Sequence, residues 1–419
     1  MEEKKKMNYA WIILIACCMM TMSMGLSVYV CGQYFVSVTT ELGVGLTELS
    51  LFITIMSLVM AFTSPIVGRT LSKAAKPYLY IAGGVALVAL SIAAMSLYHH
   101  VWGWYISGAL MGIGGAFCFV IPVPIILGNW FKQRLGFAIG IAMAAAGVGG
   151  MIMNPVIASL VADVGWRTTY LINALIIAAV VLPFPLFIIR TKPADKGMQP
   201  YGYDAKAAAA DATGGAAVPT LSGVPAKTAI KSLPFVLMFI TFGLSGFLTG
   251  FANFLLSFAS SLGFGAAVAG SIASMNSLGN MGSKVIFGAV NDKFGPKVLT
   301  IFGYGLIVVA FVLLIMNRGL AAIILIGACL LGCANGMGSV ANPLYVRTIF
   351  GPKDYATIFS NLQMGMSLIA AFASPVIGFI FDRTGSFSGT FIVGIVLVAV
   401  LIVLILTSLT LGKKLPREN

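Results

Sequence analysis

The stretch SIASMNSLGNMGSKVIFGAVNDKFGPKVLT, residues 271–300, decides the fold. From Ala266 to Asn291 the chain is apolar enough to be a membrane helix, and Lys284 lies inside it, about eight residues before Asp292. At a 1.5 Å rise per residue that is roughly 12 Å up the helix. Every other ionisable side chain falls at or near the end of an apolar run. A lone cation inside a membrane is a functional-site hypothesis by default. Asn276, Asn280 and Lys284 recur every four residues, which places three polar side chains on one helix face. Two amides and an ammonium can orient an anion as well as attract it. The alternative is that Lys284 snorkels to the interface, with its apolar stem in lipid.

The rest of the chain matches this segment. Of 419 residues, 59% are hydrophobic and 9% charged, and the mean hydropathy is +1.01, against about a quarter charged in soluble domains. Each membrane span needs about 20 apolar residues. Twelve runs qualify, near 10–35, 47–71, 78–98, 101–128, 135–162, 167–189, 233–262, 267–291, 297–316, 319–346, 356–381 and 387–411. Runs of this length read as helices, because lipid admits only helices and closed barrels. The first run follows Lys4, Lys5 and Lys6; it is too long for a signal peptide and reads as the first span. With the N-terminus inside, 21 of the 25 Lys and Arg fall on the cytoplasmic side. Arg167, Arg318 and Arg383 fall outside, and Lys284 is the remaining one. This asymmetry predicts cytoplasmic N- and C-termini in a prokaryotic inner membrane. The net charge of +13 then reflects topology and anionic lipid, not nucleic acid. The six cysteines lie inside apolar runs without metal or redox spacing and read as small packing residues.

After Arg190 the texture changes to Pro193, Gly197, Pro200, an alanine run and Gly214-Gly215. This marks a cytoplasmic linker, 191–231, between six-helix halves at 1–190 and 232–419, and its composition predicts no fixed fold. A short pattern recurs across the halves. Ser64-Pro65-Ile66-Val67-Gly68, Asn154-Pro155-Val156-Ile157, Ser283-Lys284-Val285-Ile286 and Ser374-Pro375-Val376-Ile377-Gly378 are alike. Pro65 to Pro155 is 90 residues and Lys284 to Pro375 is 91. Helices two, five, eight and eleven therefore read as equivalent members of four three-helix units, with Lys284 standing where the other three have proline. The expected fold class is an all-α membrane protein of twelve transmembrane helices in two pseudo-symmetric halves.

These features resemble the major facilitator superfamily. Gly288, Asp292, Lys293, Gly295, Pro296 and Lys297 resemble its signature between the second and third helices of each half. The first-half copy has Gly68, Lys73 and Lys76, but Ser72 where an acid is expected. The resemblance implies a gating role for Gly288, Asp292, Lys293, Gly295 and Lys297. Asn129-Trp130-Phe131-Lys132-Gln133-Arg134-Leu135-Gly136 with Gly140, Gly147 and Gly150, then Gly165-Trp166-Arg167 and Phe350-Gly351, resemble the monocarboxylate transporter and oxalate:formate antiporter branch. In that branch the eighth helix carries an Asp and an Arg four residues apart, or a substrate-binding Arg. The matching positions here are Asn280 and Lys284. Where the exchanger has a lysine in helix eleven this chain has Leu362 and Gln363, and where animal transporters have one in helix one it has Tyr29. One cation rather than two suggests a single carboxylate, although backbone amides and half-helix ends also hold anions.

Substrate-binding candidates are therefore Lys284, Asn280, Asn276, Tyr29, Gln33, Asn335, Asn253 and Gln363, with Ser257 and Asn361 as further polar positions. For each asparagine and glutamine the competing reading is an interhelical hydrogen bond. None of the twelve acids falls at the midplane, which favours exchange over a carboxylate proton relay. Proton symport requires that Lys284 itself titrate. The expected function is secondary active transport of small organic carboxylates of the lactate, pyruvate, formate or oxalate type. The partners are the substrate, a counter-anion or proton, and the bilayer. The carrier is expected to be a monomer without metal or cofactor. A carrier of neutral or cationic solutes lacks its midplane acid, and a carboxylate sensor on the same scaffold would bind without flux. No Ser-His-Asp set, metal cluster or phosphate loop points to an enzyme.

Overall fold

The structure, a computed structural model, describes residues 8–203, 223–264, 266–317, 319–384 and 386–418. Residues 1–7, linker positions 204–222 with their alanine run and Gly214-Gly215, Arg318, and the side chains of Ser257, Pro375 and Asp382 lie outside the described residues. The described residues form a twelve-helix membrane bundle: α1 Tyr9–Leu42, α2 Leu46–Lys73, α3 Pro77–Met95, α4 Trp102–Trp130, α5 135–164, α6 166–188, α7 Leu233–Phe254, α8 266–294, α9 296–315, α10 Ala321–Phe350, α11 355–384 and α12 Phe387–Leu411. Gly165 (φ 78°) and Gly295 (φ 79°) turn α5 into α6 and α8 into α9 with almost no loop. A side chain at either corner would be strained, because a positive φ with extended ψ is nearly glycine-only.

Several spans are interrupted, and proline explains where. α4 leaves helical geometry at 119–121, before Pro122 and Pro124, and α10 widens into a π turn at Met337–Ala341, before Pro343. α11 breaks at 371–372, where the nitrogen of Pro375 has no hydrogen for the Ala371 carbonyl. α1 also breaks, between Ser27 and Gly32.

Small residues let these helices approach closely. Within the first half, the Thr21 hydroxyl of α1 donates to the Ala142 carbonyl of α5. At the end of that half remote from the linker, Arg167 donates to Glu41 at 2.9 Å and to the Ser96 carbonyl at 2.8 Å. The halves meet through α5 on α8 and α2 on α11. A Cβ built on Gly288 would collide with the Gly136 carbonyl, and one on Gly68 with the Ala356 carbonyl. Both equivalences, Gly68 with Gly288 and Gly136 with Ala356, are 220 residues apart, so the two contacts are one pseudo-symmetric interaction made twice.

That register corrects the repeat. Shifted by the same 220 residues, Lys284 falls on Ser64, not on Pro65. The short serine-containing motif had pulled the eighth helix one place out of step. The linker is also corrected in part. Its described ends are docked: Tyr201 donates from its backbone to the Trp130 carbonyl at 2.7 Å, and its ring lies against Trp11 and Phe131. On the other side, Val224 donates to the Phe350 carbonyl and Ala226 to the Asp354 carboxylate. An aromatic anchor and a set of backbone hydrogen bonds hold segments whose average composition reads as unstructured.

Candidate functional site

A cavity of about 390 Å³ lies between the two halves, walled by α1, α2, α4 and α5 from one and α7, α8, α10 and α11 from the other. Four of the residues singled out by sequence line it: Lys284, Tyr29, Asn335 and Gln363. Lys284 is 5% exposed, and its Nζ donates to the Met143 carbonyl of α5 at 3.3 Å. The lysine thus reaches from the second half onto the backbone of the first. Among the described residues the ion pairs are Arg167 with Glu41 and Lys353 with Glu418, and neither involves Lys284. An ammonium has three donors and Met143 takes one, leaving two for the cavity. Tyr29 packs its ring against Gly150, and Gln363 donates to the Met366 sulfur at 3.5 Å.

The other four candidates are placed elsewhere. Asn276 donates to the Ala328 carbonyl of α10 at 3.0 Å, and the Oδ1 of Asn280 is buried without a partner near Gly332 of α10. An interval of four residues advances about 40° around a helix, so Asn276 is rotated roughly 80° from Lys284 and faces the neighbouring helix. Gln33 donates to Asn154 at 3.0 Å, because the break in α1 separates it from the face that carries Tyr29. Asn253 lies in the 3-10 turn Gly250–Phe254, outside the cavity lining. The cavity adds residues that sequence did not select: Phe119 and Val120 at the break of α4, Gly338 and Ser339 in the π turn of α10, and Met60 and Met366 as apolar wall. The prolines that follow the two breaks were the available signal.

Closure at the linker end comes from the signature loop. The two carboxylate oxygens of Asp292 accept from the backbone N–H groups of Gly136 and Phe137, both at 2.8 Å. An acid from the second half thereby caps the first turn of α5 in the first, where orphan donors and the positive helix end favour a negative charge. Arg347 of α10 adds a 2.7 Å bond to the Gly128 carbonyl of α4. Partial burial and the nearby Arg347 charge hold the Lys132 ammonium below its ordinary pKa. Moving away from the linker, α5 and α8 separate. Gly136 and Gly140 touch α8 backbone, whereas a Cβ on Gly147 would find only the Met281 side chain at 3.8 Å. Near the linker α5 and α8 are therefore in backbone contact, and at Gly147 only a side chain reaches across. Lys293 lies over the Phe294 ring, and Lys297 lines a separate surface hollow with Lys413 and Arg417.

A family model described as the Major Facilitator Superfamily matches residues 11–256 and 235–419. The chain belongs to the major facilitator superfamily. Among curated relatives it is similar to human monocarboxylate transporter 12, with 22% identity over 92% of this chain and 77% of that protein. The rat protein of the same name is 41% identical over 16% of this chain and 14% of its own length. Of solved structures, a proton:xylose symporter aligns with a TM-score of 0.72 at 14% identity, covering 98% of this chain and 97% of that one. The human organic anion transporter MFSD10 aligns with a TM-score of 0.70 at 14% identity, covering 96% and 100%. At such identities these structures establish the fold, and superfamily membership makes the chain a multi-pass membrane transporter.

Proposed function

We propose that this transporter carries small organic carboxylate anions across a cell inner membrane, with anion exchange as its mode. Lys284 neutralises the carboxylate, and residues 1–190 and 232–419 rock about the cavity as the two moving halves, joined by 191–231. The observation that carries this reading is a buried lysine on the wall of the central cavity whose ammonium has a single backbone oxygen for company. Burying that charge costs roughly 2.5–3.5 kcal/mol on insertion scales. A bound anion offsets part of it, and a neutral or cationic solute does not. The relatives named monocarboxylate transporters agree with an anionic cargo.

In the proposed cycle the linker end is the closed one and faces the cytoplasm, as do both termini, so the cavity opens outward. With the cavity empty, Lys284 bridges to Met143 across the interface of the halves. An arriving carboxylate takes over the ammonium, and the bridge to α5 is released as the halves rearrange. Return without an anion leaves the charge uncompensated, which is why exchange is favoured over net flux. The test is transport by purified Lys284→Gln protein in proteoliposomes with radiolabelled lactate, pyruvate, formate and oxalate outside and each acid inside. Loss of at least tenfold in counterflow is expected, whereas wild-type rates with all four acids would overturn the assignment.

A further inference from the structure

We infer that the linker end of the second half holds the headgroup of an anionic phospholipid, in a hollow between the start of α9 and the ends of α10 and α12 that is separate from the central cavity.

The hollow has a volume of about 390 Å³. It is lined by Phe294 and Lys297 at the α8–α9 corner, Thr348 of α10, Leu409 of α12, and Lys413 and Arg417 just beyond α12. Three cations thus surround one space, and among the described residues no carboxylate lines it. The acid next in the chain, Glu418, is paired with Lys353 at 2.9 Å. Helix ends alone do not account for the cations. The carbonyl ends of α10 and α12 contribute roughly half a negative charge each, and the start of α9 half a positive one. Three full charges are left largely unbalanced, and Lys293, over the ring of Phe294, adds a fourth at the rim.

These charges are held in place by the fold. Gly223 and Glu418 exchange backbone hydrogen bonds at 3.0 Å, which fixes the tail that carries Arg417. The Arg417 guanidinium donates to the Thr348 carbonyl at 3.5 Å, using one of its five N–H donors. Guanidinium and ammonium groups converging on one space suit the oxygens of a phosphate. A lipid fits better than a water-soluble phosphate, because the hollow adjoins an apolar face. Ile301 stands one turn along α9 from Lys297, with Val298 and Phe302 beside it, and all three are exposed. Acyl chains can lie along that face while the headgroup stays among the cations, the arrangement expected of a basic pocket at a membrane surface.

Native mass spectrometry of the full-length protein in detergent micelles tests this. The probes are dioleoyl phosphatidylglycerol and dioleoyl phosphatidylcholine, which carry the same chains on anionic and zwitterionic headgroups. Each basic residue near an anionic surface favours binding by about fivefold. The first phosphatidylglycerol is therefore expected to bind about tenfold or more tighter than phosphatidylcholine. Lys297→Gln/Lys413→Gln/Arg417→Gln is expected to lower that preference at least fivefold. The three side chains are exposed, and Lys413→Gln alone, with an expected loss of about threefold, gives the same reading should the triple variant not fold. Lys192→Gln/Lys227→Gln/Lys231→Gln removes equal charge from exposed positions outside the hollow and is expected to keep the preference. Equal affinity for the two lipids, an unchanged preference in the folded hollow variants, or an equal loss in both triple variants would overturn the inference. Displacement of phosphatidylglycerol by glycerol 1-phosphate would overturn it as well, by assigning the hollow to water-soluble phosphates.

Discussion

On the proposed reading, Lys284 places function and stability in opposition. It is buried, faces no acid among the described residues, and its one protein partner is a carbonyl that a helix already uses. An apolar side chain of similar length removes the desolvation cost while filling the same volume. Lys284→Met is therefore expected to raise the melting temperature of ligand-free protein by a few degrees while abolishing the thermal shift caused by carboxylates. A melting temperature lowered by the substitution would mean that the lysine holds the halves together rather than waiting for an anion. That this lysine stands apart from the other charges, buried on the wall of a central cavity, was legible from a charge inside an apolar run. Its neighbours were harder to read: a four-residue spacing fixes the angle between side chains but not which neighbouring helix the face meets. Asn276 and Asn280 consequently turned out to belong to the α8–α10 contact. Tyr29 and Gln33 look like one stripe only if α1 is continuous, and it breaks between Ser27 and Gly32.

At the scale of elements, the twelve spans could be read from apolar length, because every stretch in lipid must satisfy its backbone internally. Less legible was how their ends are joined. The signature loop announces Asp292 by motif, but only the packed structure shows that its carboxylate caps α5, a helix of the other half. Hydrogen bonds to a charged acceptor contribute about 1.5–3 kcal/mol each, and removing both also exposes the first turn of α5. Asp292→Ala is expected to shift the population about tenfold or more toward the state open at the linker end. Hydrogen exchange provides the check: the amides of Gly136 and Phe137 should lose protection, while those of the α6 turn at Thr169 keep theirs. Equal protection in both proteins would reduce Asp292 to a surface charge.

At the scale of the whole molecule, the sequence repeat indicated two related halves, and their contacts reveal how unequal they are. The 220-residue shift that carries Gly68 onto Gly288 also carries Ser72 onto Asp292, and Gly136 and Phe137 onto Ala356 and Thr357. The cap that closes α5 over α8 therefore has an empty counterpart where α2 meets α11. Ser72 is exposed and donates to its own helix at Arg69, and Asp354, the residue just before α11, makes no side-chain cap because its carboxylate is engaged with Ala226. A transporter capped on both sides would be slow to open at the linker end, so the missing acid keeps the closed state from being too stable. Ser72→Asp is expected to complete the second cap and to add about 0.5–2 kcal/mol to that state, the range for an N-cap. The measurable outcome is opposite in sign for two quantities: melting temperature rises by a few degrees, and the rate of carboxylate counterflow falls by about two- to thirtyfold with substrate affinity in the state closed at the linker end unchanged. A Ser72→Asp carrier that transports as fast as the parent and melts no later would show that the two halves do not close by the same contact.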